Sequence, residues 1–301
     1  MSKGERKKSS REEAGGGEEA RALYVYCVGA REALAQVFEG ELPPAIESAE
    51  RLELIPVGDL AAVASAVPLS DYGEEALGAR LEDAAWTAVR ALRHEGVVEH
   101  FARRASVAPL RFGTIYLRRE SVGRMLEERG EELRRVVARL EGHEEWGVNA
   151  YAERAKMKAE VTRLSPRLRE MSERADASTP GQAYLLRKKI EALRDEETRA
   201  ETKRVVGAME SALAAESAGA ARLRLLKDEA NEHGELAAKF AFLVAREGFD
   251  RFRAAAERLA EHYAPLGFRI ELTGPWPPYN FASEDESTEG VKGEKGKGEK
   301  G

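Results

Sequence analysis

Short segments with apolar residues at alternate positions recur along the chain and predict β-strands. Residues 22–30, ALYVYCVGA, carry aromatic and β-branched residues on both faces, which is typical of an interior strand. Residues 52–67 predict two strands around a Gly58-Asp59 turn, with Pro56 near a sheet edge or bulge. The same pattern predicts further strands over 108–116, 145–152, 221–228, 235–245 and 267–274.

Segments with a period near 3.6 residues lie between these strands and predict helices. A long one covers about 73–105, with Gly96 as a candidate break or kink, and others cover 120–141 and 247–262. Residues 153–218 predict a helical hairpin whose apolar positions are too sparse for a long coiled coil. The sequence also predicts where its second arm begins. Thr179 is the candidate N-cap, Pro180 occupies the first helical position, and Gln182 lies three residues after the cap, as in a capping box.

The order of these elements predicts an α+β protein of two domains. An N-terminal α/β domain with a linking helix covers residues 21–142, and a C-terminal domain covers 143–282. The elements of the second domain are a strand, a helical hairpin, two strands, a helix and a final strand. This is the βαββαβ order of a ferredoxin-like sheet, in which the hairpin over about 153–218 extends the first crossover. Residues 1–20 and 283–301 are highly charged and have almost no apolar residues, so they are predicted to be a disordered arm and tail.

Composition narrows the classes of function. The formal net charge is −6 and 34% of residues are charged, so a basic nucleic-acid footprint has no support. The single cysteine allows no intrachain disulfide, which suits a reducing cytoplasm. The charged N-terminus lacks the apolar centre of a signal peptide, and no window approaches the roughly 20 apolar residues of a membrane helix. The sequence therefore predicts a cytoplasmic protein without a membrane span.

Motifs for chemistry are weak. In HEGVVEH, residues 94–100, the two histidines are six positions apart, whereas a zinc-protease helix needs four, so polar residues on an amphipathic helix explain them better. Cys27 lies inside a predicted buried strand, where a thiol acts as a small apolar group. No glycine-rich phosphate loop follows a strand. We therefore predict no catalytic residue, no metal site, no cofactor and no enzymatic activity.

Two stretches are candidates for contact with a partner. In LRFGTIY, residues 110–116, Arg111 stands among apolar residues beside Gly113, which indicates either an edge strand with a bulge or a docking contact. In GPWPPYNF, residues 274–281, a proline-rich ligand is one interpretation. An ordered terminal clamp is favoured, because the segment follows a core strand directly and its aromatic residues can bury a large area.

Five stretches in the same order resemble the gas vesicle proteins of the F/L type. They are LYVYCV, HEGVVEHFARRASVAPLRFGTIY, EWGVNAY, PGQAYLLRKK and LTGPWPPYNF, and they span roughly residues 22–281. One departure is Cys27, where a small residue such as glycine is familiar in the family. The resemblance implies two α+β domains, the second ferredoxin-like, and a non-enzymatic accessory protein of gas vesicle assembly located at the vesicle.

The resemblance also implies partners: the small hydrophobic shell protein (GvpA type) and other accessory gas vesicle proteins, met during nucleation or at the inner shell surface. No nucleic acid or membrane is implied, and the F and L branches are not separated. A general adaptor unrelated to gas vesicles is the alternative. The residues that we predict to contact a partner lie at sheet edges and in the clamp; they are Arg111, Phe112, Tyr116, Trp146, Trp276, Pro277, Pro278 and Tyr279.

Overall fold

A computed structural model describes residues 20–225 and 234–283. The predicted disordered segments at the two ends lie outside the described residues, apart from Ala20 and Ser283. The described chain forms two antiparallel sheets with helices on their faces.

The first sheet is built around the predicted interior strand. Its strands, in the order β2-β3-β1-β4 with β5 also paired to β1, are all antiparallel to their neighbours. Pro56 lies in the edge strand β2, as predicted, where its missing N–H interrupts no ladder. The strands are β1 (Arg21–Ala30), β2 (Leu52–Val57), β3 (Leu60–Pro68), β4 (Val107–Pro109) and β5 (Ile115–Tyr116).

The prediction of one strand over 108–116 was wrong. The loop between β4 and β5 leaves the sheet, and Gly113 at its turn has φ of +83°, a conformation that favours glycine. The loop is tied back to β1, because the Leu110 amide donates to the Tyr26 carbonyl at 2.8 Å and the Gly113 amide to the Tyr24 hydroxyl at 2.9 Å. Arg111 and Phe112 therefore lie on a loop instead of a strand.

Within residues 20–142, all of which the structure describes, six helices cover the two faces of this sheet. The predicted single helix over 73–105 is two helices, because the chain breaks at Glu82-Asp83. The Asp83 carboxylate caps the second, accepting from the amides of Ala85 and Trp86 at 3.0 and 3.1 Å, while Gly96 lies inside that helix without breaking it. The predicted helix over 120–141 is likewise divided, at Arg129. The helices are α1 (Arg31–Phe38), α2 (Leu69–Tyr72), α3 (Glu74–Leu81), α4 (Ala84–Ala102), α5 (Arg119–Glu128) and α6 (Gly130–Leu140).

The second sheet has the strand order β7-β8-β6-β9, again antiparallel throughout. Its strands are β6 (His143–Ala152), β7 (Gly219–Leu223), β8 (Glu235–Ala245) and β9 (Phe268–Trp276). The predicted strand over 221–228 is thus displaced: Arg224 and Leu225 follow its end, and 226–228 lie outside the described residues.

The helical hairpin lies between β6 and β7. Its first arm bends at Ser165-Pro166, where the Ser165 hydroxyl accepts from the Leu168 amide. The second arm starts after Thr179 with Pro180 in its first turn, as predicted, although the Thr179 side chain makes no cap hydrogen bond. The helices of this half are α7 (Arg154–Leu164), α8 (Pro166–Asp176), α9 (Pro180–Ala214) and α10 (Phe249–Tyr263).

The two sheets share one of the hydrophobic cores. On one face of β1, Val25 and Val28 are buried against α5 and α6. Leu243 of β8 and Phe281 near the C-terminal end belong to the same hydrophobic cluster. The opposite faces have cores of their own, one around Tyr24 and α4 and one beneath α9 and α10. Apolar burial therefore stabilises the position of one sheet against the other.

The turn before β9 depends on a glycine. Gly267 has φ of +85°, and a Cβ placed there would lie 2.8 Å from Lys156 Cβ. We expect Gly267→Ala to lower the free energy of unfolding by about 1 kcal/mol or more, through backbone strain and this overlap. Urea denaturation measures the change.

Gly207 is the matched control, since it lies inside α9 and an added Cβ meets nothing within 4 Å. Gly207→Ala should raise stability by roughly 0.5–1 kcal/mol, because alanine is the better helix former. Equal effects of the two substitutions would contradict this account of Gly267.

Candidate functional site

The segment 275–281, which we call the C-terminal clamp, crosses from the second sheet to the first. It begins with Pro275 and Trp276, the last two residues of β9, and ends in a short 3₁₀ turn, Tyr279–Phe281. Pro277, Pro278 and Phe281 are buried, whereas Trp276 is 54% exposed. The ordered-clamp interpretation therefore describes most of this segment, with one aromatic side chain left at the surface.

A buried histidine receives the clamp on the first sheet. His94 of α4 is 1% exposed, and its two ring nitrogens lie 2.9 Å from the hydroxyls of Tyr24 and Tyr279. The Tyr279 hydroxyl donates to Glu95 Oε1 at 3.0 Å, and the Tyr24 hydroxyl accepts from the Gly113 amide. This network joins β1, the β4–β5 loop, α4 and the clamp at one imidazole.

The donors and acceptors assign the protons of this network. Because Tyr279 gives its proton to Glu95, it accepts from His94, so His94 Nε2 carries hydrogen. His94 Nδ1 is then the acceptor of the Tyr24 proton. All three side chains are satisfied with a neutral imidazole, and burial lowers the pKa of His94 to about 4.

A buried glutamate holds the clamp on the second sheet. Glu145 of β6 is 5% exposed and accepts from the backbone amide of Asn280 at 3.0 Å and from its side-chain amide at 2.6 Å. Burial raises the pKa of Glu145 to about 7, although both hydrogen bonds from Asn280 oppose the shift. Beside it, Phe281 enters the shared core, and its carbonyl accepts from Arg139 of α6.

The eight candidate contact residues do not form one surface. Phe112 and Tyr279 are brought together, since their rings lie 5.7 and 6.3 Å from that of His94. Trp146 and Trp276 both border Gly274, but Trp146 stacks on Phe249 at 4.1 Å and is only partly exposed.

The remaining candidates divide between exposed and buried positions. Arg111 is exposed on its loop, and Tyr116 packs against the shared core on the opposite face of the first sheet. Pro277 and Pro278 are buried themselves but line a groove beside Trp276. The exposed part of the predicted set is therefore Trp276 with this groove, and Arg111.

The groove runs between the clamp and the C-terminal end of α4. Arg103, the residue after α4, and Arg246, the residue after β8, line it together with Trp276. A wider cleft of about 320 Å³ continues from it past His143 and Pro278 to the alanine-rich ends of α1 and α4. Apolar walls with charged side chains at the rim are suited to an amphipathic segment of another protein.

Sequence reasoning missed the residues that anchor the clamp. The sequence predicts His94 as a polar residue of an amphipathic helix, and this prediction is wrong, because the side chain faces β1 and is enclosed by aromatic rings. The position of His94 gave a usable signal, since Val97, Val98 and Phe101 follow it at helical spacing. Glu145 gave none, because its partner Asn280 is 135 positions away.

The histidines of 94–100 do not converge. His94 binds tyrosines, and His100 packs edge-on against Phe101. Among residues 20–225 and 234–283, no three His, Cys, Asp or Glu side chains are grouped as metal ligands. In that same part of the chain, every helix is too short or too polar to cross a bilayer.

His94 should make stability depend on pH. Its pKa is about 4 in the folded chain against an ordinary value of 6.5, so the folded state favours the neutral ring. The stability that this provides is present above pH 6.5 and is lost as pH falls towards 4. The loss should reach roughly 3 kcal/mol relative to His94→Gln, which has no such titration. Urea denaturation of both proteins from pH 4 to 7.5 measures it, and parallel curves would contradict it.

Glu145 should act in the opposite direction. Its pKa of about 7 exceeds the ordinary 4.5, so the folded state favours the protonated acid. Its contribution is greatest below pH 4.5 and is lost as pH rises through 7. Between pH 5 and 8 the wild type should therefore lose up to about 3 kcal/mol relative to Glu145→Gln, measured by the same method. A difference between the two that does not change with pH would refute the assignment.

Comparison of the sequence with known proteins identifies its family. Residues 22–283 match the family model described as "Gas vesicle synthesis protein GvpL/GvpF". The chain is 31% identical over 266 residues to gas vesicle protein L of Streptomyces sp. (strain CB03234), covering 87% of this chain and 93% of that protein. It is 29% identical over 199 residues to gas vesicle protein F of the same strain, covering 63% and 76%.

A solved structure has the same fold. The crystal structure of the gas vesicle protein GvpF from Anabaena sp. PCC7120 aligns with a TM-score of 0.62 over 90% of this chain and 100% of that one, at 17% identity. The family match spans both sheets and the clamp up to Ser283. The chain therefore belongs to the GvpL/GvpF family of gas vesicle synthesis proteins, and its role lies in gas vesicle assembly.

Proposed function

We propose that this protein is a non-enzymatic accessory factor that binds the hydrophobic gas vesicle shell protein (GvpA type) during nucleation or at the inner shell surface. Other accessory gas vesicle proteins are the further partners. The observation that carries the proposal is Trp276, an exposed indole at the end of an edge strand and at the mouth of a groove. An adaptor role unrelated to gas vesicles is set aside because of the family membership.

The edge of the second sheet supports the proposal. β9 pairs with β6 on one side, and within the described residues no strand pairs with its other side. An open edge offers backbone N–H and C=O groups to an extended segment of a partner. A shell subunit with exposed apolar strands could add to this edge and so be kept from aggregating before it polymerises.

The position of Trp276 supplies a side-chain anchor for such a segment. Its indole Nε1 donates to Thr273 Oγ1 at 3.2 Å, which holds the ring against the strand with more than half of it exposed. Tryptophan is among the residues that contribute most to binding at the centre of interfaces. Beside it, the ion pairs Arg103–Glu99 and Arg246–Glu144 would form a polar rim around a bound segment.

The proposal includes neither chemistry nor a cofactor. His94 is fully committed to Tyr24 and Tyr279, and Cys27 is 0% exposed with its pKa raised by burial. Groups held in this way stabilise the fold and are not accessible to a substrate.

We also propose a division into two domains, 21–142 and 143–282, with the second ferredoxin-like. The sheet order β7-β8-β6-β9, with the hairpin and α10 as its crossovers, supports this arrangement. The clamp then belongs to the second domain by sequence and packs on both. The place of action that fits the proposal is the gas vesicle in the cytoplasm.

Trp276→Ala tests the function. The affinity-tagged full chain, co-expressed with the cognate shell protein, should capture soluble shell protein in a complex of defined mass by light scattering. The substitution should reduce the captured shell protein about tenfold or more, since an interfacial tryptophan is removed. Stability should change little, because the side chain is 54% exposed.

The matched control is Tyr184→Ala, which removes a 65% exposed aromatic side chain from α9, away from the groove. It should leave capture unchanged. Normal capture by a folded Trp276→Ala protein would remove this surface from the proposal. The charge reversal Arg111→Glu tests the loop site in the same assay, and normal capture would remove that residue as well.

A further inference from the structure

Helix α4 uses one of its faces for the fold. On that face His94, Val97 and Phe101 are buried against the first sheet. Towards its start, Arg90 lies over the Trp86 ring at 4.1 Å and pairs with Glu47 at 2.8 Å. These contacts fix the rotation of the helix about its axis, and so they fix which residues point away from the sheet.

The opposite face is apolar and exposed. Ala85, Ala88, Val89 and Leu92 lie at the i, i+3, i+4, i+7 spacing of one helical face, and all four are exposed. Leu92 is 74% exposed, the largest fraction among the exposed large apolar side chains of the described residues, and Val89 is 46% exposed. The surface helix of a monomer normally has polar residues in these positions. We call this set the outer stripe.

The residues that bound the outer stripe differ in charge, with Glu95 and Glu99 on the same helical face before the basic end. Before α4, Glu82 is exposed, and its carboxylate has no partner among the described residues. At the other end, Arg103 and Arg104 are exposed, and Arg103 is satisfied only by Glu99 one turn before it. An apolar stripe with an acidic and a basic end is complementary to itself when it is turned end for end.

We propose that the outer stripe binds the outer stripe of a second copy of this chain, with the two α4 helices antiparallel. Glu82 of each copy then meets Arg103 of the other, and the two-fold axis passes between positions 92 and 93, beside Leu92. The exposed leucine therefore packs on its own counterpart.

A glycine completes the match along the helix. In the same register Val89 lies opposite Gly96 of the other copy, and the Cβ position of Gly96 has nothing within 4 Å. A small residue at this point lets the helix backbones approach closely and leaves room for the valine. The close approach accounts for a glycine in the interior of α4, where this residue otherwise destabilises a helix.

The apolar contacts supply the affinity and the charges fix the direction. Exposed ion pairs contribute about 0–1 kcal/mol each, so they favour the antiparallel over the parallel arrangement without holding the dimer by themselves. A single pair of helices is a small interface, so the expected self-association is reversible and depends on concentration. The inference shares Arg103 with the groove of the proposed shell contact, but Leu92, Val89 and Gly96 take no part in that contact, which depends on Trp276 and β9.

Sedimentation velocity of the full chain over a hundredfold or so range of concentration tests the association. The wild type should shift from monomer to dimer. Leu92→Lys should raise the dissociation constant about tenfold or more, because a charge is placed at the axis. The matched control is Leu185→Lys, since Leu185 is 65% exposed but lies on α9, and it should behave as the wild type.

Charge exchange tests the direction. Glu82→Lys and Arg103→Glu should each weaken the dimer, and the two together in one chain should restore it, because each new charge meets its opposite. A Leu92→Cys chain should form a disulfide-linked dimer under mild oxidation, whereas the native Cys27 is buried.

A wild type that stays monomeric throughout, including one whose stripe is covered by its own terminal segments or by another protein, overturns the proposal. Failure of the double exchange to restore the dimer overturns the antiparallel arrangement.

Discussion

The attachment of the clamp to two buried polar side chains, one in each half of the molecule, determines how the two sheets are joined. The Tyr279 hydroxyl is hydrogen-bonded to His94 of α4, and the next residue, Asn280, donates two hydrogen bonds to Glu145 of β6. A buried polar group without a partner costs about 1–3 kcal/mol, so each anchor strongly disfavours any arrangement in which the clamp is displaced. Directional hydrogen bonds thus specify a position that the apolar core alone would leave less defined.

The shared core makes this arrangement rigid. Phe281 follows the two anchored residues directly and enters the cluster formed by α5, α6, β1 and Leu243. Apolar burial supplies most of the free energy here, and the anchors supply the register. The two anchors also have opposite responses to acid, because burial favours the neutral form of each and the neutral form of a histidine is the deprotonated one. Loss of one contribution on acidification is therefore partly offset by gain of the other.

The same packing decides which parts of the chain remain available to partners. The clamp buries Pro277, Pro278 and Phe281 and leaves Trp276 at the open edge of β9. α4 places its polar and aromatic residues inward, around Glu47 and His94, and leaves an apolar stripe outward. Both exposed surfaces therefore follow from internal contacts. When buried contacts fix the orientation of a helix or strand, they also fix which of its residues face the solvent.

The sequence by itself determined the elements and the family: the strand periodicities, the hairpin starting at Pro180, the ordered clamp and the motifs of the GvpL/GvpF proteins. These are local patterns, and local patterns suffice where backbone geometry and alternation of burial dominate. Only the tertiary structure decided the break of the predicted helix at Asp83, the burial of His94, the pairing of Glu145 with Asn280, and the separation of Tyr116 from Trp276. The break at Asp83 has a local cap, but the uniform apolar period of 73–105 conceals it. The other three depend on partners far apart in the chain, and the contact energy between such residues cannot be calculated before the fold has brought them together.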